Sequence, residues 1–339
     1  MKLGILFAGQ GSQHPGMGQD FYEKSPAFRQ VFDLLNESQK QIAFSGPAEI
    51  INDTRNTQPI MVAFAAGVLA ELMPRLAEKN IEVAACAGLS LGEYSALCCS
   101  GVFDPETALR LVQIRANVMA DAASGIDCGM KAILGLDEAT LRGCCERAEE
   151  EYNTSSVAEH SDADGKATTG ASKAAECGQP KLKLARIANL NCTGQIVISG
   201  QREAVDLAAE YALEAGAKRA VALAVSGPFH TDYMKPAGEV LEPILNASQL
   251  GDVKIPVIFN AVGRQMAEGE SVAELLVKQV SSPVHFEESI REMEKMGIDT
   301  VIEIGPGKAL SGFVRKTCRG IKCVNIESFD DMESALAGL

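Results

Sequence analysis

Short apolar runs that end in glycine alternate along the chain with longer stretches of helical period, the pattern of an α/β protein. The first run, "KLGILFAGQGSQ", predicts a buried strand that breaks at Gly9 into a glycine-rich loop. A helix from about Pro26 to Glu37 follows, and "TQPIMVAFAAGVLAELMPRLAEK" predicts a long apolar helix. "VAACAGLSLGEYSALCCSG" reads as a small-residue strand, a sharp turn at Ser90 and another helix. "DPETALRLVQIRANVMADAA" opens with an Asp cap and a proline at the first helical position, then repeats apolar residues at helical spacing, with Arg115 among them.

From about residue 126 the order becomes strand (Met130–Leu136), helix (Asp137–Glu151), strand (Ala185–Asn191), strand (Gln195–Ser199), helix (Arg202–Ala215) and strand (Lys218–Leu223). That βαββαβ order is the ferredoxin-like arrangement and predicts a small insert domain over 126–223. Residues 152–181 hold almost no large apolar side chains, so the expectation there is a polar, mobile loop. After 224 the α/β alternation resumes, with a strand in "PVIFNAVG", a helix around Ser271–Val280, a helix start near His285, and strand, glycine turn and helix in "DTVIEIGPGKALSGFVRKT". Residues 1–125 and 224–339 are therefore expected to form one large α/β domain interrupted by the smaller one.

Composition narrows the function classes. The 339 residues are 46% hydrophobic, ample for a core. No run of about 18 or more uninterrupted apolar residues occurs, and the N-terminus turns polar too soon for a signal peptide, so the expectation is a cytoplasmic protein with no membrane partner. Ten cysteines without C-x-x-C spacing, two pairs of them adjacent, read as reduced thiols with no zinc site or other metal. A formal net charge of −14 argues against nucleic-acid binding, which needs a cationic face.

The chemistry concentrates at Gly88-Leu89-Ser90-Leu91-Gly92, a G-x-S-x-G sequence between a predicted strand and a predicted helix. Glycines at those positions permit a strained turn that presents the serine hydroxyl at a helix N-terminus, and with this turn the larger domain reads as α/β-hydrolase-like. The bland alternative is a tight turn with a satisfied serine. A nucleophilic serine needs a base, and four histidines are available. His160 lies in the polar loop, His14 follows the first glycine loop, and His285 sits at a helix start; His230, ending "AVSGPFH" at a Gly-Pro turn, is favoured by position.

"FAGQGSQ" at 7–13, "GLSLGEYSAL" at 88–97, "IR" at 114–115, "VSGPFHTDYM" at 225–234, "QVSSPVHF" at 279–286 and "EIGPGKALSGFV" at 303–314 fall in the order found in malonyl-CoA:acyl carrier protein transacylases. The chain resembles that family over nearly its whole length. The resemblance implies that Ser90 accepts the acyl group, that His230 is general base and later acid, and that the backbone carbonyl of Gln279 steadies the imidazole. It further implies an oxyanion hole from the amides of Gln10 and Leu91, Arg115 gripping the free carboxylate of malonate, and Phe229 crowding a branched α-carbon. The implied substrates are malonyl-CoA and an acyl carrier protein whose phosphopantetheine thiol takes the malonyl group for fatty-acid or polyketide chain extension, with no resident cofactor. A serine esterase or thioesterase, and a catalytically silent carrier-protein-binding protein, are the rival readings. On residues alone the preferred reading of Arg115 is an exposed helix arginine in a surface ion pair.

The sequence departs from the family pattern at Leu89, where a histidine is commonest, at Ala8, where a proline is usual, and in the polar stretch 152–181. The Gly-Pro-Gly at 305–307 reads as a turn and not a phosphate cradle, since it lacks the lysine and hydroxyl spacing of a P-loop. "FVRKTCRGIK" gathers Arg315, Lys316, Arg319 and Lys322 in an otherwise acidic chain, equally a solvated helix C-terminus whose cations suit the dipole or a candidate docking patch for an acidic carrier protein, with Lys181, Lys183 and Arg186 as a second group.

Overall fold

The computed structural model describes residues 1–158 and 184–339. Its strands are β1 (Leu3–Phe7), β2 (Val83–Gly88), β3 (Cys128–Leu134), β4 (Ala185–Cys192), β5 (Gln195–Gln201), β6 (Arg219–Ala222), β7 (Val257–Phe259), β8 (Arg264–Gln265), β9 (Val284–His285), β10 (Thr300–Ile304) and β11 (Lys322–Ile326). They form two sheets, one in the order β11-β10-β1-β2-β7-β8 and one in the order β6-β3-β5-β4-β9. In the first, the strands from β11 to β7 run parallel and β8 closes the edge antiparallel. All of β1 and β10 is buried, as both faces of a helix-covered parallel sheet require.

The second sheet is antiparallel from β6 to β4, in the strand order of a ferredoxin-like unit, with helices Glu138–Ala158 and Arg202–Glu214 in the crossover positions. The fold is thus α/β, a hydrolase-like parallel sheet beside a ferredoxin-like antiparallel one. A join between them was not foreseen. The two residues of β9, expected only as a helix start, pair parallel with Asn189 and Leu190 of β4 and extend the smaller sheet with chain from the C-terminal part.

Two helical boundaries differ from expectation for identifiable reasons. The helix expected over Pro26–Glu37 stops at Phe32, and a new one spans Glu37–Ser45. Asn36 makes the break: its side chain accepts from Gln39 N at 2.9 Å while the Gln39 side chain bonds back to Asn36 N at 3.3 Å, a capping box that starts a helix where the pattern suggested one ending. The helix expected to end at Glu151 continues to Ala158, so the first residues of the predicted polar loop are helical. The rest of that loop, with His160, Lys181 and Lys183, lies outside the described residues.

The Thr54–Glu78 helix is apolar and long enough to cross a bilayer by length and composition, yet 67% of its most apolar stretch is buried inside the protein, where it packs as a core helix. The nine cysteines among the described residues are unpaired, and no group of three or more metal-type side chains occurs among those residues.

Candidate active site

The parallel strands β1 and β2 end side by side, and the loops after them carry Gln10 and Ser90. Ser90 lies between β2 and the helix Gly92–Cys99 with φ of 51°, a left-handed conformation that costs a non-glycine residue roughly 1–2 kcal/mol. The flanking glycines are there for close approach. A Cβ on Gly88 would lie 1.9 Å from the carbonyl carbon of Gly92, and one on Gly92 would lie 2.2 Å from Phe7 O. The motif is therefore a packing requirement between the turn and β1, with Ser90 displayed at its tip.

His230 meets Ser90 from the far side of the chain, its Nε2 2.7 Å from Ser90 Oγ. Its Nδ1 lies 2.9 Å from the backbone oxygen of Gln279, which can only accept, so the ring hydrogen sits on Nδ1 and the Nε2 lone pair faces the serine hydroxyl. No carboxylate takes the third position. Burial, and secondarily the Arg115 charge, push the His230 pKa down to about 4, against backbone hydrogen bonds donated by the ring toward Gln279 and Ser282, which favour the charged form. The imidazole is thus neutral across the physiological range. The other described histidines stand elsewhere: His14 Nε2 is 2.9 Å from Glu327, and His285 Nδ1, with no hydrogen bond among the described residues, is 3.3 Å from Glu288.

Arg115 is 1% exposed, which overturns the surface ion-pair alternative. Its Nη1 donates to Gln58 Oε1 at 2.7 Å, its Nη2 to Gln279 Oε1 at 2.9 Å and to Ser90 Oγ at 3.3 Å, and its Cζ lies 5.5 Å from the Tyr94 ring centre. Both strong partners are neutral amides, and among the described residues Nε has no acceptor. The nearby carboxyl of Glu93 is pushed by burial up to about 8, so at neutral pH it is mostly protonated and does not neutralise the guanidinium. Burial correspondingly lowers the Arg115 pKa. The site thus holds a desolvated positive charge beside the Ser90 hydroxyl.

Gln279 organises the cluster from the helix Val272–Ser281. Besides holding His230 and Arg115, its Nε2 donates to Ser90 O at 2.9 Å. Because the peptide is trans, fixing Ser90 C=O fixes the Leu91 N–H on the opposite side of the same plane. Leu91 and Gln10 both border the cleft that Ser90 faces, and among the described residues neither backbone N–H has an acceptor. The Gln10 side chain is tied back by Thr54 Oγ1, which donates to its Oε1 at 2.7 Å.

The cleft encloses about 660 Å³, open solvent at its mouth included, and lies between the two sheets, with Met130, Asn189, Asn191 and Val197 on one side and Phe229 at its wall. It runs on into an outer groove that reaches Gln195 and Phe313. Lys316 Nζ donates to Gln195 Oε1 at 3.2 Å, so a cation stands at the groove's edge, with Arg315, Arg319 and Lys322 exposed nearby in sequence. At the helix after the Gly-Pro-Gly turn two of the first amides are already taken: the buried Glu303 carboxylate accepts from Leu310 N and Ser311 N at 3.0 and 2.8 Å. At the Ala8 departure, Ala8 N donates to Ile304 O at 3.0 Å, a bond no proline could make.

The acyl transferase domain family matches residues 5–148 and 152–335. Over its whole length the chain is 39% identical to the malonyl CoA-acyl carrier protein transacylase of Bacillus subtilis (strain 168), covering 97% of that protein. The chain belongs to the malonyl-CoA:acyl carrier protein transacylase family. The Haemophilus influenzae enzyme of the same name is 34% identical, with 99% of both chains covered. Among solved structures, the transacylase of Streptococcus pneumoniae superposes with a TM-score of 0.83 at 36% identity, covering 100% of each chain. A type II PKS acyl-carrier protein in complex with its malonyl-transacylase gives 0.85 at 30% identity, again with 100% of each chain covered.

Within this transacylase fold the structure gathers Ser90, His230, Gln279, Arg115, Gln10, Leu91 and Phe229 around one cleft. It also adds residues that sequence reasoning passed over. Gln58 and Thr54 stand four apart in an apolar helix and are both 1% exposed; polar side chains on one face of such a run were the available signal. Asn260 and Glu93, fully buried behind the turn, gave none.

Proposed function

We propose that this chain moves a malonyl group from malonyl-CoA to the phosphopantetheine thiol of an acyl carrier protein, through a malonyl-Ser90 intermediate. The observation that carries the substrate choice is the buried Arg115 guanidinium, held only by neutral groups 3.3 Å from the Ser90 hydroxyl. A planar fork of donors at that place suits the carboxylate at the far end of a malonyl group, whereas an acetyl group would leave the charge unpaired.

The geometry supports the following sequence of steps. His230 Nε2 takes the Ser90 proton as Oγ attacks the thioester carbon, and the developing oxyanion rests on the amides of Gln10 and Leu91. Collapse breaks the C–S bond, the imidazolium gives its proton to the coenzyme A sulfur, and malonyl-Ser90 remains. The pantetheine thiol then loses its proton to His230 and attacks the ester, and Ser90 recovers the proton. Phe229 limits bulk at the α-carbon. No resident cofactor takes part, since the reactive thiols belong to the two substrates. The same proposal takes residues 126–223 as the insert that closes the cleft over the catalytic parts 1–125 and 224–339, and places the enzyme in the cytoplasm, supplying fatty-acid or polyketide extension.

A serine hydrolase is the alternative, and the carbonyl of Gln279, in place of a carboxylate at His230 Nδ1, weighs against it. Acyl-enzyme lifetime decides. Malonyl-enzyme isolated free of carrier protein is expected to persist in buffer and to discharge on addition of a phosphopantetheine-bearing carrier protein; rapid turnover by water alone would make the protein a hydrolase.

The base gives a pH prediction. The neutral form of His230 is required, and because its pKa is depressed to about 4 that form survives on the acid side. The kcat/KM for malonyl loading should therefore hold through the ordinary histidine range and fall only near pH 4. A break near the unperturbed value of about 6.5 would contradict the buried, uncharged base.

A further inference from the structure

Asn260 follows directly on β7, is fully buried, and has all four of its polar groups engaged around the turn that carries Ser90. Its Nδ2 donates to Gly88 O at 2.7 Å and its Oδ1 accepts from Ser90 N at 2.6 Å, so one amide spans the turn from the end of β2 to the serine. Its own N–H donates to Glu93 Oε2 at 2.5 Å, and its C=O accepts from His285 N at 2.9 Å. The side chain is thereby fixed from two separate elements: the helix that leaves the turn and the strand β9 that joins the sheets.

Ser90 needs such a tie. At φ of 51° an L residue is in a sparsely populated conformation that persists only where its surroundings over-determine it. The peptide before Ser90 is held at its N–H by Asn260, and the peptide after it is held at its C=O by Gln279. Together the two ties set the direction of the Ser90 side chain toward His230 Nε2 and of the Leu91 N–H toward the cleft.

We propose that Asn260 is a positioning residue for acyl transfer, holding Ser90 in the left-handed conformation from which Oγ reaches His230, with Glu93 holding Asn260 in turn. The proposal rests on the reading of Ser90 as nucleophile. Asn260 does not line the cleft, so its loss acts on the chemical step and not on the binding of malonyl-CoA. Asn260→Asp keeps an acceptor for Ser90 N and loses the donor to Gly88 O; Asn260→Ala loses both.

The test is rapid-quench loading from malonyl-CoA in a single turnover, followed by intact mass and peptide mapping, on wild type and both variants. At saturating malonyl-CoA the loading rate is expected to fall about 100-fold in Asn260→Ala and about 10-fold in Asn260→Asp, as for small misplacements of a reacting atom. The half-saturating concentration should stay within about 3-fold of wild type, and the final label should still approach one per chain. A purely structural role would do the reverse, lowering the final label at an unchanged rate, and that result overturns the proposal, as does a wild-type rate in Asn260→Ala. Should the alanine variant not fold, the aspartate variant decides by the same two quantities. Failure of the underlying reading looks different: wild-type protein itself then carries no label on Ser90.

Discussion

Ser90→Ala is expected to give a folded protein that takes up no malonyl group from malonyl-CoA. The hydroxyl removed is small, and its partners lose little: His230 keeps its bond to Gln279, and Arg115 keeps Gln58 and its stronger contact to Gln279. The alanine methyl occupies the place of the serine Cβ at the same φ, so the strained turn is not changed. Thermal stability should move by no more than about 1 kcal/mol, while loading, read by intact mass, disappears. A residual malonyl adduct in this variant would place the nucleophile elsewhere.

Arg115→Ala is the second large effect. Malonyl transfer should fall by about two orders of magnitude, the consequence of losing a desolvated charge pair of about 3 kcal/mol, while the ratio of acetyl to malonyl loading rises. The same change leaves the side-chain oxygens of Gln58 and Gln279 without their donor but also removes a desolvated charge, so its effects on stability oppose one another. Selectivity separates the two consequences. Competition between malonyl-CoA and acetyl-CoA, measured on the folded fraction, is expected to shift toward acetyl; an equal loss for both groups would make Arg115 a structural residue.

What the chain reveals before folding depends on whether the signal is local. The strand, glycine turn and helix at Ser90 are written in adjacent residues, and the βαββαβ order emerges because each element carries its own periodicity. The break before Glu37 was not foreseen because a helix-starting cap such as Asn36 and a polar residue within a helix look alike until the partner side chain of Gln39 is in place. Arg115 was ambiguous for a deeper reason. Its burial is decided by the Thr54–Glu78 helix and by Gln279, which are distant in sequence and contribute neutral amides that no charge pattern announces. Asn260 lies 170 positions from Ser90 and follows a strand of only three residues, so in sequence it looks like any turn asparagine. Glu93 looks like an ordinary acidic residue of a first helical turn, and only the packing of that turn against β7 takes it out of water. The family resemblance supplied roles for the groups that touch substrate and for the Gln279 carbonyl behind His230, and none for Gln58, Glu93 or Asn260.

The most direct test of the account is to mix wild-type protein with malonyl-CoA in the absence of carrier protein, measure the intact mass and map the modified peptide. The account predicts one malonyl group per chain, on Ser90, released when a phosphopantetheine-bearing carrier protein is added. No covalent adduct, or an adduct on a residue other than Ser90, would contradict it.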